Sequence, residues 1–280
     1  AESILCGNGA ADLIFRLAWA AKPRTALVTA PTFAEYAAAL ESAGCAVRRH
    51  FLQAEVDFAV TDSILSSITP EVDMVFLCQP NNPTGQLTPL PLVERILRRC
   101  EACGALLVVD ECFLDFLPDC DALTAKALLD SKNLLILKAF TKLYGMAGVR
   151  LGYCLCANTA LLEAMQAAGQ PWAVSSLAQA AGLAALDETA YVAQVRALIA
   201  QQRPRLTAGL RALGLRVLDG RANYLLFQGP ETLGDALRQW GVVLRSCSNY
   251  PGLDGSWYRT AVRTGPENDE LLKTLAEVLA

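Results

Sequence analysis

Histidine is nearly missing from this chain: His50 is the only one in 280 residues. A lone imidazole, following Arg48-Arg49 at the end of an expected strand, leaves little room for hydrolysis by a Ser–His or Cys–His pair. Long apolar runs are missing too. Stretches such as Ala18 to Ala21 and Ala105 to Val109 fall far short of the roughly 20 residues a membrane helix needs, so no membrane partner is expected. Basic runs are equally scarce. With 24 Lys+Arg against 28 Asp+Glu the net charge is −4, which argues against a nucleic-acid-binding surface. Internal repeats and low-complexity linkers are absent, and no secretory leader is visible. Residue 1 is alanine, which leaves room for a preceding piece.

Cysteine, by contrast, is plentiful, with ten residues. Cys100-Glu-Ala-Cys103 has zinc or redox spacing, yet it falls inside a helical pattern with no second pair placed like a ribbon site, so no metal is expected. Buried thiols in a reducing, cytoplasmic setting are the favoured account. A content of 53% hydrophobic and 19% charged residues argues against disorder and for a packed, enzyme-sized chain.

The pattern alternates along the chain. Ala26 to Ala30, Val47 to Leu52, Met74 to Cys78, Ala105 to Asp110, Leu134 to Lys138 and Arg150 to Cys156 read as short buried strands. Helical stretches lie between them: Ala11 to Ala20, Phe33 to Ala43, Leu90 to Cys103 (with Thr88-Pro89 as its start) and Leu161 to Ala168. Such alternation predicts a mostly parallel sheet covered by helices on both faces. From about Ser175 the texture changes to long helices up to Leu213. Strands at 215–218, 224–227, 242–244 and 258–262 follow, interleaved with helices, as in an α+β layer.

In a parallel sheet, chemistry gathers at the carboxyl ends of the strands. After Cys78 comes Gln79-Pro-Asn-Asn-Pro-Thr-Gly85, a rigid loop that holds an asparagine amide at a fixed place. Asp110-Glu111 ends a strongly apolar strand, and a buried carboxylate there needs a cationic or protonated partner, or else it becomes neutral. Lys142 stands in a Gly-punctuated loop, with Arg150 eight residues on. Gly7-Asn-Gly-Ala-Ala-Asp12 opens the first helix, where backbone N–H groups make an anion site.

In this order, Pro80-Asn-Asn-Pro-Thr-Gly85, Val108-Val-Asp-Glu111 and Thr141-Lys142 through Gly148-Val-Arg150 resemble the pyridoxal-phosphate enzymes of the aspartate-aminotransferase fold. The resemblance runs over essentially the whole chain. It implies an α/β protein of fold type I. Residues 1–170 would form a large cofactor-binding domain, and residues 171–280 the interdomain helices and a smaller C-terminal α+β domain. It further implies that Lys142 carries pyridoxal 5′-phosphate covalently and shuttles protons. Asp110 would pair with the pyridine nitrogen, Asn82 would donate to the ring's phenolic oxygen and face the substrate, and Phe33 would stack on the ring. Gly9, Ala10, Ala11, Thr141 and Arg150 match the phosphate ligands. Arg259, in Trp257-Tyr-Arg-Thr-Ala-Val262, matches the arginine that grips a substrate carboxylate and swings in as the lobes close. Arg245 is a second anion contact, and Arg263, on the same face as Arg259, is a supporting one.

Two departures narrow the choice. Phe113 stands where most relatives carry a tyrosine, so a hydroxyl donor to the ring oxygen is absent, and Ala139 replaces a hydroxyl residue near the phosphate. Phe113 and the stretch from Arg245 to Arg263 are most similar to the threonine-phosphate decarboxylase subgroup of cobalamin synthesis, and next to histidinol-phosphate aminotransferases. The expected reaction is decarboxylation of L-threonine O-3-phosphate to (R)-1-amino-2-propanol phosphate, with transamination as the alternative. A catalytically silent binding protein is a weaker reading. A nicotinamide dehydrogenase is weaker still, because Gly7-Asn8-Gly9 lacks the Gly-x-Gly-x-x-Gly spacing. The resemblance also implies a homodimer. Relatives carry about a further quarter of chain before Gly7, including an arm over the site and a tyrosine that reaches the partner's cofactor.

Overall fold

Wholly apolar segments bounded by turn formers become the central strands, and amphipathic segments become the helices that cover them. The computed structural model describes residues 2–280. In chain order its first part runs β1 (Ile4–Gly7), α1 (Ala10–Ala21), β2 (Thr25–Ala30), α2 (Glu35–Ser42), β3 (Ala46–Phe51), α3 (Ile64–Ser67), β4 (Met74–Cys78), α4 (Leu90–Cys103), β5 (Leu106–Asp110), α5 (Cys120–Leu123), β6 (Leu134–Ala139), α6 (Phe140–Leu143), β7 (Gly152–Cys156) and α7 (Thr159–Ala167). These strands form one seven-stranded sheet in the order β1-β7-β6-β5-β4-β2-β3. Strands β3, β2, β4, β5 and β6 are parallel, β7 runs antiparallel to β6, and the edge strand β1 runs antiparallel to β7.

Side-chain alternation along each strand serves two cores. Val75, Leu77, Leu107, Val109 and Ile136 point to one face and pack under Val93, Ile96 and Leu97 of α4. Phe76, Val108, Leu135 and Leu137 point to the other and meet Leu13, Ile14 and Leu17 of α1 with Leu162 and Met165 of α7. With both faces covered, each of these side chains contributes about 1.5–3 kcal/mol by leaving water.

The remainder runs α8 (Ser176–Asp187), α9 (Thr189–Ala212), β8 (Arg216–Val217), β9 (Tyr224–Gln228), α10 (Leu233–Gln239), β10 (Arg245–Ser246), β11 (Trp257–Ala261) and α11 (Gly265–Leu279). Its sheet is antiparallel, in the order β10-β11-β9-β8. One face packs Leu225, Phe227 and Tyr258 against Leu206 and Leu210 of α9 and Leu275 of α11. The opposite face sends Leu226 and Trp257, with Leu218 just past β8, into the core that lies beneath the first sheet. The two lobes therefore share apolar packing.

Four expectations need correction. Strand β1 lies outside the expected set. Residues 242–244 are not a strand: Gly241 takes a left-handed conformation (φ 76°) and the Val242 amide returns to Leu237 O, so the segment finishes α10 and pairing starts at Arg245. Arg150 lies two residues before β7, itself left-handed at φ 60°. Thr88 does not start α4. The Gln79 side chain clamps it, accepting from Thr88 N at 2.8 Å and donating to Thr88 O at 2.5 Å, and Pro89 is the N-cap.

Candidate active site

The carboxyl ends of β4, β5 and β6 lie side by side, with Cys78 opposite Asp110 in register, so the segments that follow them converge. One strand in from the sheet edge, β7 presses on the start of α1: a Cβ on Gly152 would sit 2.6 Å from Ala10 N. The result is a cavity of about 100 Å³. Among the residues expected from sequence, Ala10, Ala11, Phe33, Asn82, Asp110, Phe113, Thr141, Lys142 and Arg150 line it. Gly9 lies under the guanidinium of Arg150. With φ 82°, and a Cβ that would fall 2.6 Å from Arg150 Nη2, the position requires glycine.

Asp110 is buried, and its two oxygens have separate donors. Cys112 N reaches Oδ1 at 3.0 Å and the Tyr36 hydroxyl reaches Oδ2 at 2.6 Å. Among the described residues no cation pairs with it. Tyr36 is fully buried, stacked on Phe76 at 4.7 Å and set edge-on to Phe33 at 5.5 Å. Burial, reinforced by the Asp110 charge, holds its phenol proton far above the ordinary range. Burial likewise pushes the Cys78 thiol up to about 12, and it raises Cys112, with the Asp110 charge adding to both. The polar groups around Asp110 are thus neutral donors.

Behind this wall, Glu111 points to the other face of β5. It meets Lys138 at 3.0 Å and accepts from Thr124 Oγ1 and Ala125 N, each at 2.7 Å, while Lys138 also reaches Asp115 at 2.8 Å. Lys142 is exposed to the cavity, its Nζ 5.4 Å from the centroid of the Phe113 ring.

A second cavity, of about 500 Å³, adjoins the first and shares Lys142 and Phe113 with it. Arg245, Arg259 and Arg263 line it, with Tyr224. Arg245 and Arg259 are direct partners across the β10–β11 pair. Arg259 donates through Nη1 to Asn82 Oδ1 and lies over the Tyr224 ring at 5.0 Å, so it already touches the site without movement of the lobes. Tyr224 donates to Asn81 O at 2.9 Å. Tyr250 donates to Asn82 Oδ1 at 3.3 Å, and its ring lies 5.9 Å below the Arg245 guanidinium. Arg263 is largely occupied by Glu267, at 2.9 Å.

Sequence reasoning missed Tyr36, Tyr250, Cys78 and Cys112. Tyr36 stands three residues after Phe33 and Tyr250 inside the 245–263 stretch, but the local pattern names no partner for either hydroxyl.

The sequence profile of aminotransferase class I and II matches residues 1–276. The threonine-phosphate decarboxylase of Salmonella typhimurium is 39% identical over 283 residues, spanning 100% of this chain and 78% of the relative. A histidinol-phosphate aminotransferase of Desulfitobacterium hafniense is 35% identical, again with 100% of this chain and 78% of the relative covered. The crystal structure of the histidinol-phosphate aminotransferase from Clostridium acetobutylicum superimposes with a TM-score of 0.93 at 28% identity, over 99% of this chain and 84% of that one. By profile, by relatives and by fold alike, the chain belongs to the class I and II aminotransferase family, whose enzymes use pyridoxal phosphate.

Proposed function

We propose that this protein decarboxylates L-threonine O-3-phosphate, giving (R)-1-amino-2-propanol phosphate and CO₂. The residues fit pyridoxal phosphate on an observation independent of resemblance. Asp110 is a buried carboxylate with two neutral donors and no cation, and a buried charge of that kind calls for an opposite one. Asp110 would face the pyridinium, Asn82 the phenolic oxygen and Phe33 the ring face. The first N–H groups of α1, at Ala10 and Ala11, would hold the phosphate together with Thr141 and Arg150. Lys142, at the junction of the two cavities, would be the amine that binds the aldehyde. When bound, the cofactor supplies an acceptor for the electrons released at the substrate α-carbon.

The observation that carries the substrate reading is the Arg245–Arg259 register pair. Two like charges directly opposite one another on paired strands repel, so the arrangement is stable with an anionic guest between or beside them. A phosphorylated amino acid offers two anions, a carboxylate and a phosphate. By fixing both, the arginines would set how the bonds at the α-carbon are oriented, and so which of them breaks. Lys142 Nζ would be the group that returns a proton to that carbon. Residues 1–170 would supply the cofactor side and residues 171–280 the anion side.

Incubating the cofactor-loaded protein with L-threonine O-3-phosphate should release CO₂ and the amino alcohol phosphate. Formation of a keto product dependent on an amino donor, without CO₂, would establish the aminotransferase reading instead, which the 35% relative supports. A homodimer is part of this proposal. Trp172, Leu177, Leu183 and Leu186 are exposed by 96%, 81%, 70% and 61% within one short segment, a patch suited to a second copy of the chain. Sedimentation at micromolar concentration should give twice the chain mass. All ten cysteines are free and eight are buried, which suits a cytoplasmic, reducing location. Among the described residues no helix is long and apolar enough to cross a membrane.

A further inference from the structure

Asn82 is held from behind. Its Oδ1 accepts from Arg259 Nη1 and from the Tyr250 hydroxyl, so both lone pairs of that oxygen are used. Arginine has only donors, which fixes the oxygen, and not the amide nitrogen, on this side. The Nδ2 group is thereby left facing the cavity that Asn82 lines with Lys142 and Asp110. Tyr250 is itself anchored. It is buried in the core shared by the two lobes, and its amide bonds Cys247 O at 3.0 Å. Its ring, in turn, supports Arg245. One side chain thus touches the amide at the cofactor cavity and one of the two facing arginines, and it shares an acceptor with the other.

We propose that Tyr250 is a positioning residue that couples the anion-binding arginines to Asn82, and that it compensates for the hydroxyl missing at Phe113. A second donor on Oδ1 polarises the amide, making Nδ2–H a stronger donor toward the phenolic oxygen of the cofactor. The hydroxyl absent from position 113 is in this way replaced through one intermediary. The ring does separate work, keeping Arg245 in place for the substrate anion. The inference rests on the pyridoxal-phosphate reading, but not on which substrate is used.

The test separates the two roles with Tyr250→Phe and Tyr250→Leu, each loaded with pyridoxal phosphate. The first readout is the pH titration of the protein's visible absorbance, which needs no substrate. Tyr250→Phe should move the midpoint upward by about half a unit, since a weaker donor stabilises the phenolate less. Its KM for L-threonine O-3-phosphate should stay within about twofold of wild type, because the ring remains. Tyr250→Leu should show the same upward shift and, in addition, a KM raised about tenfold. An unshifted midpoint in both variants, with only the melting temperature lowered, would reduce Tyr250 to core packing and overturn the proposal. A wild-type protein that takes up no cofactor would sink both this inference and the reading beneath it. A wild type that titrates but releases no CO₂ would sink only the substrate assignment, and the midpoints would still decide the role of Tyr250.

Discussion

Single hydroxyls set the electrostatics of this site. The Tyr36 phenol gives Asp110 a donor at 2.6 Å where no cation among the described residues pairs with it. Removing it in Tyr36→Phe leaves a buried carboxylate oxygen short of a partner, at an expected cost of about 1–3 kcal/mol. Urea unfolding of the cofactor-free protein should register that loss, and equilibrium dialysis should show pyridoxal phosphate held several-fold more weakly. Thiol chemistry follows the same logic. Burial raises the thiols of Cys78, Cys100, Cys112 and Cys154, so their reactive thiolate fractions fall at every ordinary pH. A thiol reagent at about pH 8 should modify Cys6 and Cys103 in the native protein, and all ten cysteines only after unfolding. At this scale the sequence was half legible. Lys142, Asp110 and Asn82 stand out because strand ends and rigid loops announce them. Tyr36 and Tyr250 do not, because their acceptors lie 74 and 168 residues away along the chain.

Among the elements, the β5 and β6 ends depend on a buried ion cluster. Burial alone would lower the proton affinity of Lys138, but the carboxylates of Glu111 and Asp115 more than reverse that, and the net effect raises it above the ordinary lysine range. A raised cation contributes its full stability below the unfolded-state value and loses it only as pH climbs through the folded-state one. The cluster should therefore hold undiminished between about pH 6 and 9 and weaken only in strong alkali. Glu111→Gln leaves a buried lysine with one partner, and should cost about 3–5 kcal/mol in chemical denaturation across that plateau. The unbroken apolar run of β4 was readable from sequence to the residue, and the amphipathic run of α4 gave its helical span, though not its cap. Strand β1 was not, because its four residues carry a mixed burial pattern and take their place from antiparallel pairing with β7. Strand β10 is only two exposed residues long, too short to leave a periodicity.

For the whole molecule, what matters is how the lobes are joined. Trp257 of the small sheet is buried in the core under the large one, edge-on to Phe58 at 5.3 Å and beneath the Arg216 guanidinium at 5.5 Å. Trp257→Ala should lower stability by about 3–5 kcal/mol. Because the packing is common to both lobes, circular dichroism and cofactor release should then report one coincident transition. Two separate transitions would mean that the lobes fold independently. Composition could suggest two lobes but not this shared packing, since residues 218, 226 and 257 look from sequence like the core of the small lobe alone. Nearby, the chain makes a contact with no side chain in it. A Cβ on Gly220 would lie 2.7 Å from both Gly85 C and Thr84 O, and Arg221 N bonds Gly85 O at 2.6 Å. The far lobe is thus seated directly on the loop that carries Asn82. In a library randomised at 85 and 220 together, functional clones should return glycine at both, because any larger residue would tilt one half of the pocket away from the other.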